Sequence, residues 1–351
     1  MPEARPGIWT RFRALRKHRQ LAIIILGILI VAAAVAVATV RIVSQPSDDG
    51  IDTAGPRTIP PLDVRLSLEQ RFAPVLKLDS RELLLPIAID TYVSATSLDE
   101  RRGKALRILK KLPTLASLPT SDVDCFVASG CMFQLDVRGT EPPRSGPKVY
   151  GAINKALFAH GAKVNVYSHV LQYQNSGNYS VQYWFLYLFN YRLNEHESDW
   201  EQITIMLDKD QNPKTVLYSS HATGFTREWS EMEHDSDHPI VYVARGSHAN
   251  YFHAGSHAVT VLCSKLFKRF GVCVEKRDIR DKSDGRGTTL IPGVSYEVTE
   301  MPPPVYIGSY GTGNYVLGRR ANVMMSDPRR RPAWRNPLAR LEKGTQLEGS
   351  Q

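Results

Sequence analysis

Residues 181–190, VQYWFLYLFN, decide the fold class, because nearly every position is aromatic, β-branched or otherwise apolar. Four other segments share this composition and a period of two, namely residues 164–173, 201–207, 214–220 and 239–244. Turn-forming residues, such as NSGN at 175–178, separate them. Alternation at period two between turn formers is typical of β-strands. The sequence therefore predicts a mainly β fold, an antiparallel β-sandwich with a few peripheral helices.

Helical signals are fewer. Ala105, Ile108, Leu109 and Leu112 lie at helical spacing, with arginines and lysines between them. This spacing predicts an amphipathic helix at residues 105–112. Packing against the sheet is the commoner fate of such a helix, and lying on a membrane surface is the alternative.

The N-terminal part of the chain predicts a membrane anchor. Residues 21–40 contain no charge and follow a basic run, and a helix of this length crosses about 30 Å of hydrocarbon. We expect a cytoplasmic tail at 1–20, a transmembrane signal-anchor helix at 21–43 and an extracytoplasmic location for the rest. The alternative is a cleavable signal peptide with Ala36–Ala38 at its cleavage site, which also exports the rest.

The exported part divides by composition and charge. Residues 44–63 are rich in Pro, Gly and Asp and predict a flexible linker, residues 64–327 predict the folded domain, and residues 328–351 predict a basic C-terminal tail. The net charge of +9 is confined to the two ends, so residues 21–327 are neutral. A neutral body lacks the basic surface of a nucleic-acid-binding protein, and we expect no nucleic-acid partner.

Four cysteines form two close pairs in the sequence. In an oxidising compartment, this arrangement favours disulfides over metal ligation. We expect Cys125 to pair with Cys131 and Cys263 with Cys273, with free buried thiols as the alternative.

Two carboxylates begin the strand predicted near Asp199. Alternation places Asp199 and Glu201 on the same face as Ile203 and Leu207. Because burial of two like charges is unfavourable, a positive partner must meet them.

A divalent cation is one candidate for that partner. His196 and Asn190 would add a nitrogen and an amide oxygen, giving a ligand set of Asn190, His196, Asp199 and Glu201. One imidazole with several oxygens suits Mg²⁺ or Ca²⁺ better than Zn²⁺. The alternative is an ion pair with Arg192 or Arg245.

Two further histidines lie where neighbouring strands end. His221 follows YSS and His248 lies in RGSHANY, so both would reach the same end of the sheet as His196 if the strands are neighbours. They are the candidate catalytic residues of a metal-dependent hydrolase, acting as general base or acid.

Five stretches resemble, in order, blocks of the vacuolar protein sorting-associated protein 62 family. They are QRFAPVLKLDSRELLLP from residue 70, VQYWFLYLFN, HESDWEQITIML, HPIVYVARGSHANYF and PAWRNP. The segment HESDWE is also similar to the heptapeptide GHRHDWE of the necrosis- and ethylene-inducing proteins, secreted β-sandwich toxins that bind a divalent cation near a sphingolipid-headgroup site. That resemblance implies metal ligation by His196, Asp199 and Glu201, with Asn190 where the toxins have an aspartate. Glu197 and Ser198 differ from the basic pair of the heptapeptide.

These patterns lead to three expectations about function. The first is a membrane-anchored binding module that holds an anionic lipid or glycan headgroup with the cation, in a cleft lined by Tyr183, Trp184, Tyr187 and Trp200. Some of these rings must face the core instead, because Tyr183 and Tyr187 lie opposite Trp184 in the alternation of the strand. The second is a metal-dependent hydrolase of phosphodiesters or esters at the same site. The third is a structural factor in which the carboxylates serve only ion pairs.

Overall fold

The computed structural model has a mainly β fold with few helices. The residues it describes are 53, 55–103, 105–121, 125, 130–140, 146–192, 195–221, 223–260, 278–311, 315–316, 319–320 and 325–340. The predicted cytoplasmic tail and transmembrane helix lie outside these ranges. Within them, no helix has the length and apolar character needed to span a membrane.

The elements are numbered in chain order. The strands are β1 (Arg57–Thr58), β2 (Val75–Leu78), β3 (Thr96–Arg102), β4 (Ala105–Lys110), β5 (Cys131–Val137), β6 (Val164–Tyr173), β7 (Tyr179–Asn190), β8 (His196–Leu207), β9 (Pro213–Ser220), β10 (Thr223–Glu228), β11 (His234–Asp235), β12 (His238–Val243), β13 (Asn250–Tyr251), β14 (Gly255–Thr260), β15 (Asp278–Ser283), β16 (Thr289–Leu290), β17 (Tyr296–Glu300), β18 (Tyr315–Val316) and β19 (Arg319–Arg320). The α-helices are α1 (Leu62–Arg71), α2 (Ile89–Ser94), α3 (Pro147–Ala159) and α4 (Pro332–Arg335).

The main sheet contains four of the five strands that the period of two predicts, and the fifth, residues 239–244, forms β12 of a second sheet. Its order is β1-β6-β7-β8-β9-β10, and all of these neighbours are antiparallel, whereas β17 pairs in parallel with β6. Asp199 lies directly opposite Tyr187, and Glu201 opposite Phe185. Residues directly opposite each other share a face, so the two carboxylates lie on one face, as predicted.

Strands β7 and β8 are buried along their whole length, because other elements cover both faces. The Tyr183 hydroxyl donates to backbone carbonyls of α1, and the Phe189 ring stacks on Tyr150 of α3 at 3.8 Å. On the opposite face, the Trp184 and Trp334 rings lie 5.9 Å apart. A strand covered on both faces needs no polar face, which accounts for the nearly continuous apolar run at 181–190.

A second sheet packs against the main sheet. Its order is β11-β12-β2-β16, with β13 also paired to β12, and β2 runs parallel to β12. The Tyr218 hydroxyl of β9 donates to the Ile240 carbonyl of β12 at 3.0 Å, and the Tyr218 ring stacks on Phe252 at 4.1 Å. These contacts bring the loop after β12 close to the ends of β8 and β9.

The predicted helix at 105–112 is wrong. Residues 105–110 form β4, which pairs with β3 in the three-stranded sheet β4-β3-β5. Gly103 has a φ of +58° and lies between the paired residues Arg102 and Ala105, so it belongs to a two-residue hairpin loop. A positive φ at a glycine is typical of such loops. Pairing with β3 therefore overrides the helical spacing of the apolar residues.

The folded unit extends beyond the predicted limits of 64 and 327. Arg57 and Thr58, placed in the linker, pair with Tyr173 and Gln172. Residues 328–340, placed in the basic tail, pack on the main sheet, where the Gln182 amide donates to the Ala333 carbonyl at 3.1 Å. Composition alone did not show that these segments pair with or pack on the main sheet.

One of the two expected disulfides lies among the described residues. Cys125 is bonded to Cys131, as predicted. The predicted pair of Cys263 and Cys273 lies outside the described ranges.

Candidate functional site

The Asp199 carboxylate is the hub of a buried polar cluster. Its Oδ2 atom accepts a hydrogen bond from the Asn190 amide at 3.1 Å and another from His248 Nδ1 at 2.9 Å. All three side chains are buried. We call the group Glu82, Asn190, Asp199, Glu201 and His248 the polar centre.

His248 supplies the positive charge of the polar centre. Its imidazole is fully buried, lies flat on the Tyr187 ring at 3.8 Å, and has its Nε2 atom 3.6 Å from Glu82 Oε1. At 3.6 Å, His248 Nε2 and Glu82 Oε1 form an ion pair but not a hydrogen bond. Burial lowers the pKa of His248, but Glu82 and Asp199 outweigh it and raise that pKa to about 9. At neutral pH, His248 is therefore an imidazolium.

Glu82 joins the polar centre from a loop between β2 and α2. Its carboxylate accepts hydrogen bonds from the backbone amides of Gly246 and Leu84, at 2.6 and 2.9 Å, and from the Tyr191 hydroxyl at 3.1 Å. Burial raises the pKa of Glu82, but the facing His248 and these donors bring it below its ordinary value. The sequence patterns did not identify Glu82 as a site residue, because it lies in a loop without periodicity.

Glu201 lies one pleat further along the same face of β8. Its carboxylate accepts a hydrogen bond from the Ser219 hydroxyl of β9. The Ser219 oxygen in turn accepts from the Gln202 backbone amide at 2.9 Å. Glu201 is thus tied to the neighbouring strand, whereas Asp199 is tied to the loop that carries His248.

His196 is oriented toward its own backbone. Its Nδ1 atom lies 2.7 Å from the Ser198 carbonyl oxygen, although His196 is directly opposite Asn190 in the sheet. Burial lowers the pKa of His196, so the ring is neutral at neutral pH. The structure therefore joins Asn190 and Asp199 directly, with His196 beside them.

A second charged pair lies next to the polar centre. Asp281 Oδ2 accepts from His221 Nε2 at 2.8 Å, from Ser247 at 3.0 Å and from Tyr251 at 2.9 Å. Burial lowers the pKa of His221, but Asp281 and the carboxylates of the polar centre raise it above its ordinary value. Burial likewise raises the pKa of Asp281, and its hydrogen bond with His221 brings it below the usual range.

His221 is where this charged region meets solvent. Its side chain is 21% exposed, whereas Asp281 and His248 are fully buried. Arg192 and Arg245 are both partly exposed, and the Arg245 backbone amide donates to the Lys282 carbonyl of β15. The Arg192 guanidinium donates to the Arg280 carbonyl at 2.7 Å, next to Asp281. We call the exposed part of the His221 side chain the His221 opening.

Three residues of the site have a positive φ, as do Gln211 and Ser236 elsewhere in the described chain. Ser198, His221 and His248 have φ values of 52°, 55° and 52°. Residues other than glycine rarely occupy this left-handed region, and such strain concentrates at functional sites.

The cation site expected from the sequence stays a prediction. Across the described part of the chain, no three or more His, Cys, Asp or Glu side chains are grouped so that they could hold a metal ion. The Asp199 carboxylate faces His248. The positive partner of Asp199 is therefore His248, whereas the ion-pair alternative expected Arg192 or Arg245.

The predicted aromatic cleft is wrong. Tyr183, Trp184, Tyr187 and Trp200 are each at most 2% exposed and belong to the core. Their strands are covered on both faces, so these rings stabilise the fold rather than line a binding surface.

Comparisons with known proteins give partial structural overlaps. The chain is similar to the structure "NLPPya in complex with glucosamine", with 15% identity, 55% of this chain and 68% of that chain covered, and a TM-score of 0.31. The structure "Toxin fold for microbial attack and plant defense" overlaps with 15% identity, 60% and 77% covered, and a TM-score of 0.31. Necrosis and Ethylene inducing Protein 2, from the causal agent of cocoa's Witches Broom disease, overlaps with 15% identity, 56% and 66% covered, and a TM-score of 0.26.

No family model and no curated protein sequence matches the chain. The resemblance to the vacuolar protein sorting-associated protein 62 family therefore stays a prediction.

Proposed function

We propose that the protein is a membrane-anchored, extracytoplasmic binding protein that takes an anionic lipid or glycan headgroup at the His221 opening. The observation that carries the proposal is that His221, paired with the buried Asp281, keeps 21% of its side chain exposed, while Arg192 and Arg245 hydrogen-bond to the carbonyls of Arg280 and Lys282 on either side of Asp281. Guanidinium and imidazolium groups form the strongest hydrogen bonds to anionic oxygens. Although burial lowers both pKa values, the buried carboxylates behind them raise the pKa of His221 above its ordinary value and that of His248 to about 9.

The membrane tether is the second part of the proposal. The uncharged run at 21–40 and the basic residues before it support a single-pass anchor with a cytoplasmic N-terminus. Protease protection of the full chain in sealed membrane vesicles tests this orientation. A main domain that stays on the cytoplasmic side would contradict it.

A divalent cation is the third part. Asn190, Asp199 and Glu201 bring oxygen atoms to one region, and His196 lies beside them, a donor set that suits Mg²⁺ or Ca²⁺ better than Zn²⁺. Calorimetric titration of the protein with each ion, alone and after addition of a bound headgroup, tests this part. Failure of all three ions to bind under both conditions would remove the cation and leave the headgroup site.

Glycan and lipid arrays test the headgroup site itself. Because one charge-assisted hydrogen bond contributes about 1.5–3 kcal/mol, Arg192→Gln and Arg245→Gln should each weaken binding by about 10- to 100-fold. Arg286→Gln changes an exposed arginine in the loop after β15 and is the matched control. Equal effects of the three substitutions, or no binding to any array member, would refute the site.

A hydrolase is the second candidate function, and the pair of His221 and Asp281 favours it. A partly exposed imidazole oriented by a buried carboxylate is the usual arrangement of a general acid or base. His248, in contrast, is fully buried and protonated, so it does not act as a base at neutral pH. Hydrolysis of a phosphodiester or ester panel that falls in kcat, with KM kept, in Asp281→Asn would favour the enzyme. Inertness across the panel would exclude these two ester classes.

A further inference from the structure

We propose that β4 is a second membrane contact, which docks the domain onto an anionic lipid surface independently of the headgroup site. The proposal rests on the tether only in that the tether keeps the domain beside a bilayer. The surface, called the β4 patch, consists of the apolar residues Leu106, Ile108, Leu109 and Leu112 with the lysines Lys110 and Lys111.

The apolar side chains of the β4 patch are not used by the fold. Leu106, Ile108, Leu109 and Leu112 are 50, 55, 39 and 59% exposed. All six residues of β4 are exposed, and β4 is the edge strand of its sheet. An exposed apolar cluster rimmed by polar residues marks an interaction surface. Because these side chains are exposed, residues 105–112 do not pack on the sheet, which the sequence had given as their commoner fate.

A β-bulge concentrates the apolar residues. Lys110 pairs with Leu98 and Ile108 with Asp99, so Leu109 is an extra residue that interrupts the alternation of β4. An extra residue of this kind bends the strand and changes the direction of neighbouring side chains. The strand thus presents Ile108 and Leu109 in succession at the outer edge.

The charge of the hairpin identifies the partner. Residues 99–111 carry six Lys or Arg and two acidic residues, a net charge of +4. Arg102 and Arg107 both pair with Glu100, whereas Lys110 and Lys111 are exposed beside the apolar side chains. Lysines on an edge strand disfavour pairing with another strand, and the same hairpin on a second copy would be repelled. Anionic lipid headgroups attract lysines while the interface accepts apolar side chains.

Tryptophan quenching in nanodiscs tests the contact on the full chain. Leu109→Trp places a fluorophore at the patch, and Val294→Trp is the matched control at an 80% exposed apolar position elsewhere. In nanodiscs of brominated phosphatidylcholine with phosphatidylserine, the first variant should be quenched beyond the wild-type background and the second should not. Replacing Lys110 and Lys111 by glutamine should lower the equilibrium constant for docking of the domain on the bilayer by about 25-fold, about fivefold per lysine.

The outcomes separate the contact from the tether. A chain that does not incorporate into nanodiscs would refute the tether, and binding of the unanchored chain to anionic vesicles would then test the patch. An incorporated chain with equal quenching at Leu109→Trp and Val294→Trp, or with none at Leu109→Trp, would overturn the proposal. Self-association that leaves Leu109→Trp unquenched would assign the patch to a second copy and also overturn it.

Discussion

The protonated His248 should make stability fall with pH between 6.5 and about 9. The pKa of His248 is raised from 6.5 to about 9 by Glu82 and Asp199, which outweigh the opposing effect of burial. A raised pKa in the folded state stabilises fully below the unfolded-state value and loses that contribution as pH rises through the folded-state value. At about 1.4 kcal/mol per pKa unit, the loss across this range is about 3 kcal/mol.

Urea unfolding of residues 51–351, which form one compact unit, measures this loss. The wild type should lose about 3 kcal/mol of unfolding free energy between pH 6.5 and 9, and His248→Gln should lose much less. Because the pKa of His221 is also raised, His221→Asn should remove a further part of the slope. His160→Gln, at an exposed position after α3, should retain the full slope and is the control.

The His248→Gln variant has a second signature. It leaves Glu82 and Asp199 facing each other without a positive partner, so at pH 6.5 it should be less stable by about 3–5 kcal/mol. If it does not fold, NMR titration of the wild-type imidazole supplies the test directly. A wild-type slope near zero, or a His248 ring that titrates at or below pH 6.5, would refute the charge assignment of the polar centre.

Three other substitutions test the fold. Trp334→Ala should lower the free energy of unfolding in urea by about 2 kcal/mol, because the ring packs on the main sheet. The control Arg335→Ala, at the exposed neighbouring position, should change it by less than about 0.5 kcal/mol. Equal effects of the two substitutions would place residues 328–340 outside the core. Gly246 has a φ of +75°, and a Cβ added there would lie 2.4 Å from the Tyr191 ring. Gly293 has a similar φ of +71° but open space around it. Gly246→Ala should therefore lower the free energy of unfolding by at least about 1 kcal/mol more than Gly293→Ala, and equal losses would contradict the close contact with Tyr191. Cys125→Ser should lower the free energy of unfolding by about 2 kcal/mol, and reduction of the wild type should lower it by the same amount. An unchanged free energy of unfolding would show that the disulfide does not stabilise the fold.

The predictions that the structure confirms are those set by local pattern. The period of two and the turn formers located the strands of the main sheet, and alternation placed Asp199 and Glu201 on one face. The short spacing of Cys125 and Cys131 predicted their bond. Each of these depends on residues close in the chain, whose geometry is fixed by backbone dihedral angles and chain connectivity.

The wrong predictions concern features that depend on distant partners. The spacing of Ala105, Ile108 and Leu112 fits a helix, but pairing with β3 makes the segment a strand. The aromatic residues of the expected cleft are covered by distant parts of the chain, which the strand pattern does not reveal. Helix α1 contacts Tyr183, Trp334 contacts Trp184, His248 contacts Tyr187, and Tyr310 contacts Trp200.

The sequence by itself determined the mainly β architecture and the positions of the polar residues along their strands, because the alternation of side chains follows directly from an extended backbone. Only the tertiary structure decided which charges meet. Glu82 and Asp281 reach His248 and His221 across the folded chain, and these contacts set both pKa values. Electrostatic energy depends on distance through space and on burial, which a local pattern does not contain.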